Sequence, residues 1–166
     1  WLKDTNKKLK NPISVSVNVS GIQLLDGKLC GTVEKVLKLT GLPAKLLELE
    51  LTETVLMQNQ ETVLHDLNRL HELGVSLSID DFGTGYSSLS YLHRFPINYL
   101  KVDQAFVSST GANSKNCQIA ATIISLAHQL GIKAIAEGVE TLNHLQHLRS
   151  LACEEAQGYL FSKPLD

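Results

Sequence analysis

Ser78-Ile79-Asp80-Asp81-Phe82-Gly83-Thr84-Gly85-Tyr86-Ser87-Ser88 is the stretch whose reading decides the fold. An apolar run from Val75 to Ile79 ends in two adjacent carboxylates, and a polar loop punctuated by Gly83 and Gly85 follows. Adjacent acids repel, so folding alone gives little reason to set them at the end of a strand. Divalent cations supply a reason, because hard cations take oxygen ligands and Asp80 and Asp81 can each face a different ion. An Asp-rich turn with glycines is the competing reading of these residues taken alone.

Outward from this stretch the chain alternates strand-like and helix-like segments. Residues 13–20 set Val15, Val17 and Val19 against Ser14, Ser16 and Asn18, which is the period of a strand. Residues 32–40 carry Val33, Val36 and Leu37 at helical spacing, with Gly41 and then Pro43 as the stop. Residues 46–53 alternate again, leucines on one face and Glu48, Glu50 and Thr52 on the other. Val63, Leu64, Leu67, Leu70 and Leu73 make the apolar stripe of a helix over 60–73, ended by Gly74. Further strands are predicted at 75–80, 99–102, 132–137 and 156–161. Further helices are predicted near 87–92, at 117–130 before Gly131, and around Leu142, Leu145, Leu148 and Leu151. Residues 108–114 read as a polar, mobile loop.

Strands separated mostly by helices argue for parallel βα units. Asn18, Glu50, Asp80, Lys101, Glu137 and Gln157 each fall within or at the end of a different strand, mostly near its C-terminal end. An open doubly wound sheet gathers its active residues at the crevice where strand order reverses. Contributions from every strand point instead to an α/β fold of the (β/α)8 TIM-barrel type, whose strand ends converge on one face. Ser14 and Ser16 below Asn18, and Ser76 and Ser78 below Asp80, then fit a narrow barrel interior. Solvent-facing serines on antiparallel strands are the competing reading. A barrel of this type needs about eight strands and about six are predicted, so the expectation is an incomplete barrel lacking its first two strands.

Composition sets the bounds. At 166 residues the chain is one domain by length, and a net charge of -2 with 19% charged residues describes an ordinary soluble protein. The basic residues are scattered apart from Lys3, Lys7, Lys8 and Lys10, read as a solvated face, so no DNA or RNA polymer is an expected partner. Cys30, Cys117 and Cys153 are odd in number and form no CxxC pair, which fits a reducing, cytoplasmic compartment with the cysteines as small core residues. No apolar run reaches the roughly 18 residues that span a bilayer, so no membrane insertion is expected of this segment, with tethering of the parent protein left open. The six histidines read as polar-face residues without a ligand role. A start at Trp1 without an initiator methionine reads as a piece of something longer.

Six motifs then carry a resemblance. They are Ser16-Val17-Asn18-Val19-Ser20, Glu50-Leu51-Thr52-Glu53, the Asp80-to-Ser88 stretch, Leu100-Lys101-Val102-Asp103, Ala136-Glu137-Gly138-Val139-Glu140-Thr141, and the run from Gln157 through Lys163-Pro164-Leu165. In this order they make the chain resemble the EAL domain, a bacterial phosphodiesterase family that cleaves cyclic di-GMP and has a modified TIM-barrel fold. The resemblance covers residue 11 to the C-terminus.

The resemblance implies roles residue by residue. Asn18, Glu50 and Asp80 match metal ligands, and Asp81 matches a ligand of a second metal. Lys101 matches a lysine beside the attacking water, and Glu137 a glutamate that activates or holds that water. Glu53 matches a glutamate anchoring the loop after Asp81, while Gln157, Glu140 and Asp103 match substrate contacts. The implied cofactor is Mg²⁺ or Mn²⁺ in a two-metal site, consistent with an all-oxygen donor set. The implied reaction is hydrolysis of cyclic di-GMP to the linear dinucleotide pGpG. Taken singly, these residues have plainer readings: Lys101 in a buried ion pair with Glu50, Gln157 capping a strand, Glu137 and Glu140 as acids at a helix N-terminus.

One departure qualifies the match. The Glu-Ala-Leu signature that names the family, whose Glu is a metal ligand, is absent from this chain. Residues 1–166 are therefore expected to be a single EAL-type domain without its first two strands, weak or inactive alone, within a competent parent phosphodiesterase. Exposed strand edges make a homodimer the expected assembly. A sensory or cyclase-type domain is expected upstream. A non-catalytic cyclic di-GMP receptor is the alternative function, and an unrelated metal-dependent barrel enzyme a third.

Overall fold

In the computed structural model, which describes residues 2–7, 9–10, 12–56, 60–83, 92–108 and 115–164, each period-two run becomes a strand. The strands are β1 (Val15–Val19), β2 (Leu47–Thr52), β3 (Ser76–Phe82), β4 (Tyr99–Val102), β5 (Lys133–Ala136) and β6 (Glu155–Ala156). They follow one another in a single sheet in the order of the chain. The pairs β1–β2, β4–β5 and β5–β6 are parallel. The α/β class and the six parallel strands are those expected. The helix predicted near 87–92 and the loop at 109–114 lie outside the described residues.

The chain divides into two compact units, Trp1–Ser78 with Ser88–Ile97, and Ile79–Ser87 with Asn98–Asp166. In the first, α1 (Leu2–Asn6) precedes β1, and α2 (Gly21–Leu25) follows it. Ser20 starts α2 through a capping box with Gln23, each side chain holding the other's backbone N–H. The predicted helices appear as α3 (Leu29–Thr40) and α5 (Gln60–Glu72), with the short α4 (Glu53–Leu56) between β2 and α5. Both α2 and α3 pack on α5. The stripe Val63, Leu67 and Leu70 is buried there with Leu24, Cys30 and Val33. Complete burial of a leucine contributes about 1.5–3 kcal/mol, so this seam is the main source of helix stability in the unit.

In the second unit, α6 (Gln104–Val107) follows β4, α7 (Lys115–Gln129) precedes β5, and α8 (Leu142–Ser150) precedes β6. The face of α7 made by Ala120, Ile123, Ile124 and Ala127 is buried. It lies on β4 and β5, where Leu100, Val102, Ala134 and Ala136 are fully buried. Alanines in β5 leave room for a helix to approach the sheet closely. Gly41, Gly74 and Gly131 follow α3, α5 and α7 with positive φ, as the sequence pattern requires.

Four expectations are corrected. Ser14 and Ser16 are exposed, as are Val15 and Val17, so β1 is open on both sides along most of its length; Ser78 alone of the four serines is fully buried. Glu53, expected at the end of the second strand, belongs to α4 instead, and Glu48 and Glu50 are buried along with Leu49 and Leu51. The last strand is only two residues long, because residues 158–161 turn back on themselves with Phe161 N–H donating to Gly158 O. His144 is buried rather than on a polar face, and His147 is half-buried.

Cys30 and Cys117 lie in the core as expected, and burial pushes the half-buried Cys153 thiol up to about 11. Among the described residues no helix is long and apolar enough to cross a membrane. Leu67→Ala would remove a fully buried side chain at the centre of the α5 seam. It should cost about 2–5 kcal/mol, read as a lowered urea midpoint with an unchanged m-value.

Candidate functional site

In the second unit the polar residues gather because parallel strands bring their C-terminal ends into step. Val102 lies opposite Ala136, and Ala136 opposite Ala156. The next residue on each strand is Asp103, Glu137 and Gln157, so three polar side chains leave the sheet side by side. Backbone bonds continue the register beyond the strands, Glu137 N–H donating to Val102 O and Gln157 N–H to Ala136 O, at 3.0 and 2.8 Å.

Lys101, two residues before Asp103, is only 3% exposed. Its ammonium sits 2.7 Å from Glu137 Oε1 and 3.3 Å from Asp80 Oδ1. A cation at this depth requires anionic partners to offset its lost hydration. Glu137 is held a second time, because Gln157 Nε2 donates to the same Oε1 at 2.6 Å. Asp80 Oδ1 also accepts the backbone N–H of Asp81 at 3.0 Å. Asp103 caps α6, its carboxylate accepting from Ala105 N–H at 2.8 Å.

Asp81 sits at φ 54, left-handed backbone that a non-glycine residue adopts at some cost. The residue is exposed, yet its carboxyl is partly withdrawn from water. That desolvation, with the neighbouring charges of Asp80 and Asp103 and a hydrogen bond to Asp103, raises its pKa against a weaker opposing pull from Lys101. Asp80, Asp81 and Glu137 each present a carboxylate oxygen, all within 4.8 Å of one another. Three hard oxygen donors at that spacing fit a divalent cation.

A cavity of about 560 Å³ opens beside this cluster, its lining including Asp81, Asp103, Glu137, Glu140, Gln157, Tyr159 and Lys163. Its backbone wall depends on two glycines. Gly158, at φ 153, lies so close to Val139 that a Cβ would run into the Val139 backbone. The same two segments are tied by Val139 N–H to Gln157 O and Leu160 N–H to Val139 O, both at 3.0 Å. Gly138, at φ 66, meets Gln104 at the start of α6, whose side chain and backbone fill the space a Cβ would need.

The first unit carries the remaining candidates. Asn18 and Glu50 are direct partners in the β1–β2 register, so their side chains share a face. Asn18 is exposed, Glu50 is 9% exposed, and Glu53 is 3% exposed at the start of α4. Residues 84–88 of the central motif lie outside the described residues. Sequence reasoning gave no role to Gln104, Gly138, Gly158, Tyr159 or Lys163, although four of the five lie inside quoted motifs. The signal was the repeated pairing of a polar candidate with a following glycine, Glu137-Gly138 and Gln157-Gly158.

Parallel strand ends that present a buried lysine among carboxylates, beside an acidic cavity, define an α/β protein with a carboxylate–lysine site. The chain belongs to the EAL domain family, whose model matches residues 2–164. It is 50% identical over 153 residues to a cyclic di-GMP phosphodiesterase, NbdA, of Pseudomonas aeruginosa, covering 92% of this chain and 20% of that protein. The chain thus spans about a fifth of the length of that curated relative. Among solved structures it resembles the PaMucR phosphodiesterase in complex with c-di-GMP, with a TM-score of 0.88 and 38% identity, covering 92% of this chain and 68% of that one. It also resembles a manganese and cyclic di-GMP complex of BlrP1 from Klebsiella pneumoniae, with a TM-score of 0.85 and 32% identity over 98% of this chain and 41% of that one.

Two outcomes test the site's construction. Gly158→Ala should separate the 137–140 and 157–160 segments, abolishing ligand binding at the cavity by calorimetry while far-UV circular dichroism stays unchanged. Asp81→Asn relieves like-charge repulsion. Because the folded-state pKa of Asp81 is raised, its penalty is absent below the ordinary aspartate range and grows as pH rises through the folded value. In chelator at neutral pH the variant should therefore melt above wild type, and added Mn²⁺ should reverse that order.

Proposed function

We propose that this domain hydrolyses cyclic di-GMP to the linear dinucleotide pGpG in a reaction that depends on Mg²⁺ or Mn²⁺. The observation that carries the reading is Lys101 bridging Asp80 and Glu137, the latter in the wall of an acidic cavity. A cavity of about 560 Å³ suits a small-molecule ligand. Among the described lining residues, four are carboxylates, Asp81, Asp103, Glu137 and Glu140, and one is a cation, Lys163. A dianionic ligand would be repelled from such a surface unless cations accompanied it, so the charge balance itself favours metal dependence.

Asp80, Asp81 and Glu137 would hold the cation, with Asn18 and Glu50 assigned to the same task by their motifs. When bound, divalent cations there would neutralise the phosphodiester and lower the pKa of water. Glu137, held by Lys101 and Gln157, would accept the proton of the attacking water. Water adds to one phosphorus and the bond to the 3′ oxygen breaks, leaving a 5′-phosphate and a 3′-hydroxyl. Lys101 opposes the charge that develops on the phosphoryl oxygens. Glu140, Gln157 and Asp103 contact the nucleotide; a carboxylate matches the two adjacent N–H donors on a guanine edge. Glu53 takes its proposed role, that of an anchoring glutamate, from its motif alone.

The test is product analysis of cyclic di-GMP incubated with the full-length protein and Mn²⁺ or Mg²⁺. Linear dinucleotide should form, and Asp80→Ala should lower the rate by about 100-fold or more. Binding without turnover under both metals would overturn the catalytic reading in favour of a receptor. Failure to bind cyclic di-GMP would overturn both.

A further inference from the structure

The 137–140 segment is fixed at three backbone N–H groups, and each has a different partner. Glu137 N–H goes to Val102 O on β4 and Val139 N–H to Gln157 O beyond β6. Glu140 N–H goes to neither strand. It donates to the side chain of His144, reaching Nδ1 at 3.4 Å. His144 lies in the first turn of α8, and its own backbone N–H is held by the Thr141 hydroxyl at 3.2 Å as that helix's cap. The two bonds form a reciprocal pair around residues 140–144, in which the helix start and the end of the loop fix each other.

Packing gives no reason for a histidine at this position. The ring is 9% exposed, and its Nε2 is buried with no hydrogen-bond partner among the described residues. A leucine would fill a similar volume without stranding a polar atom. The imidazole contributes one thing a leucine lacks, an acceptor at Nδ1 aimed at the Glu140 amide. That use fixes the tautomer, because a ring accepting at Nδ1 carries its proton on Nε2.

We propose that His144 is a positioning residue for Glu140, setting where that side chain stands in the cavity wall through a bond to its backbone. The proposal rests on the cyclic di-GMP reading for its effect on the ligand, but its structural half does not. His144 does not line the cavity; Glu140 does. Its loss should therefore weaken substrate capture while leaving the cluster of Lys101, Asp80 and Glu137 in place.

The experiment compares wild type, His144→Leu and His144→Gln, the last retaining an acceptor oxygen, in steady-state kinetics and amide hydrogen exchange. His144→Leu should raise KM about two- to tenfold, the range of one net hydrogen bond, with kcat within about twofold. Exchange at the Glu140 amide should quicken in the same variant. His144→Gln should match wild type in both. Equal impairment in the two variants, or a leucine variant with unchanged KM and exchange, would overturn the proposal. Should the leucine variant fail to fold, ¹⁵N chemical shifts of the wild-type imidazole decide: a proton on Nε2 is expected, and a proton on Nδ1 would refute the bond. A wild-type protein that turns over no cyclic di-GMP would sink the functional reading, while exchange and the tautomer would still judge the positioning role.

Discussion

The arrangement of the second unit depends on a buried ammonium. Lys101 lies between Leu100 and Val102, both fully buried, so its four-carbon stem runs through apolar surroundings. Its charged end is stable there only because Asp80 and Glu137 reach it from β3 and from the end of β5. Removing either partner from a buried pair typically costs about 3–5 kcal/mol, since an uncompensated charge remains behind. The lysine thus sets the relative placement of two carboxylates that belong to different strands. Gln157 extends the same restraint to the end of β6.

Around this balanced core the charges are not balanced. Asp81, Asp103 and Glu140 add negative charge at or beside the same wall, and Asp81 in addition has a positive φ and a raised pKa. None of this favours folding. Strained backbone and crowded like charges persist where the surrounding structure over-determines them, and such sites are set up to receive something positive. The interleaved backbones of Gly138 and Gly158 supply that over-determination, because neither segment can shift without opening the other.

Much of the fold was legible in the sequence for a simple reason. Helical stripes such as Val63-Leu67-Leu70 and the alternation of β1 report local geometry directly, and glycines mark where α3, α5 and α7 end. The polar residues at strand ends were legible because a core strand gives no local reason for Lys101 or Asp80. Burial was less visible. The alternation in β2 separated leucines from Glu48 and Glu50 but could not show that both faces are enclosed, since period two distinguishes two faces without saying what covers each. The shortness of β6 was hidden as well, because beyond Ala156 the carbonyl of Gln157 and the N–H of Leu160 both bond to Val139, a partnership some twenty residues distant. His144 escaped notice for the same reason: nothing in a helical heptad shows which polar residue turns inward to meet a loop.

The register between strands explains why so few residues suffice. With Lys101 opposite Ile135, its side chain must travel two residues along the neighbouring strand to meet Glu137, a span its length allows. Gln157 follows Ala156, which stands opposite Ala136, so Glu137 and Gln157 are neighbours without any intervening loop. A one-residue slip in either pairing would turn every side chain of the moved strand to the other face. Ala134 and Ala136 would then exchange faces with Lys133 and Ile135, placing a charged lysine where α7 packs. The apolar packing of α7 on β4 and β5 therefore selects the register, and the register assembles the polar cluster. Core and site are two consequences of one alignment, which is why the chemistry appears where the strands end and not where a loop happens to reach.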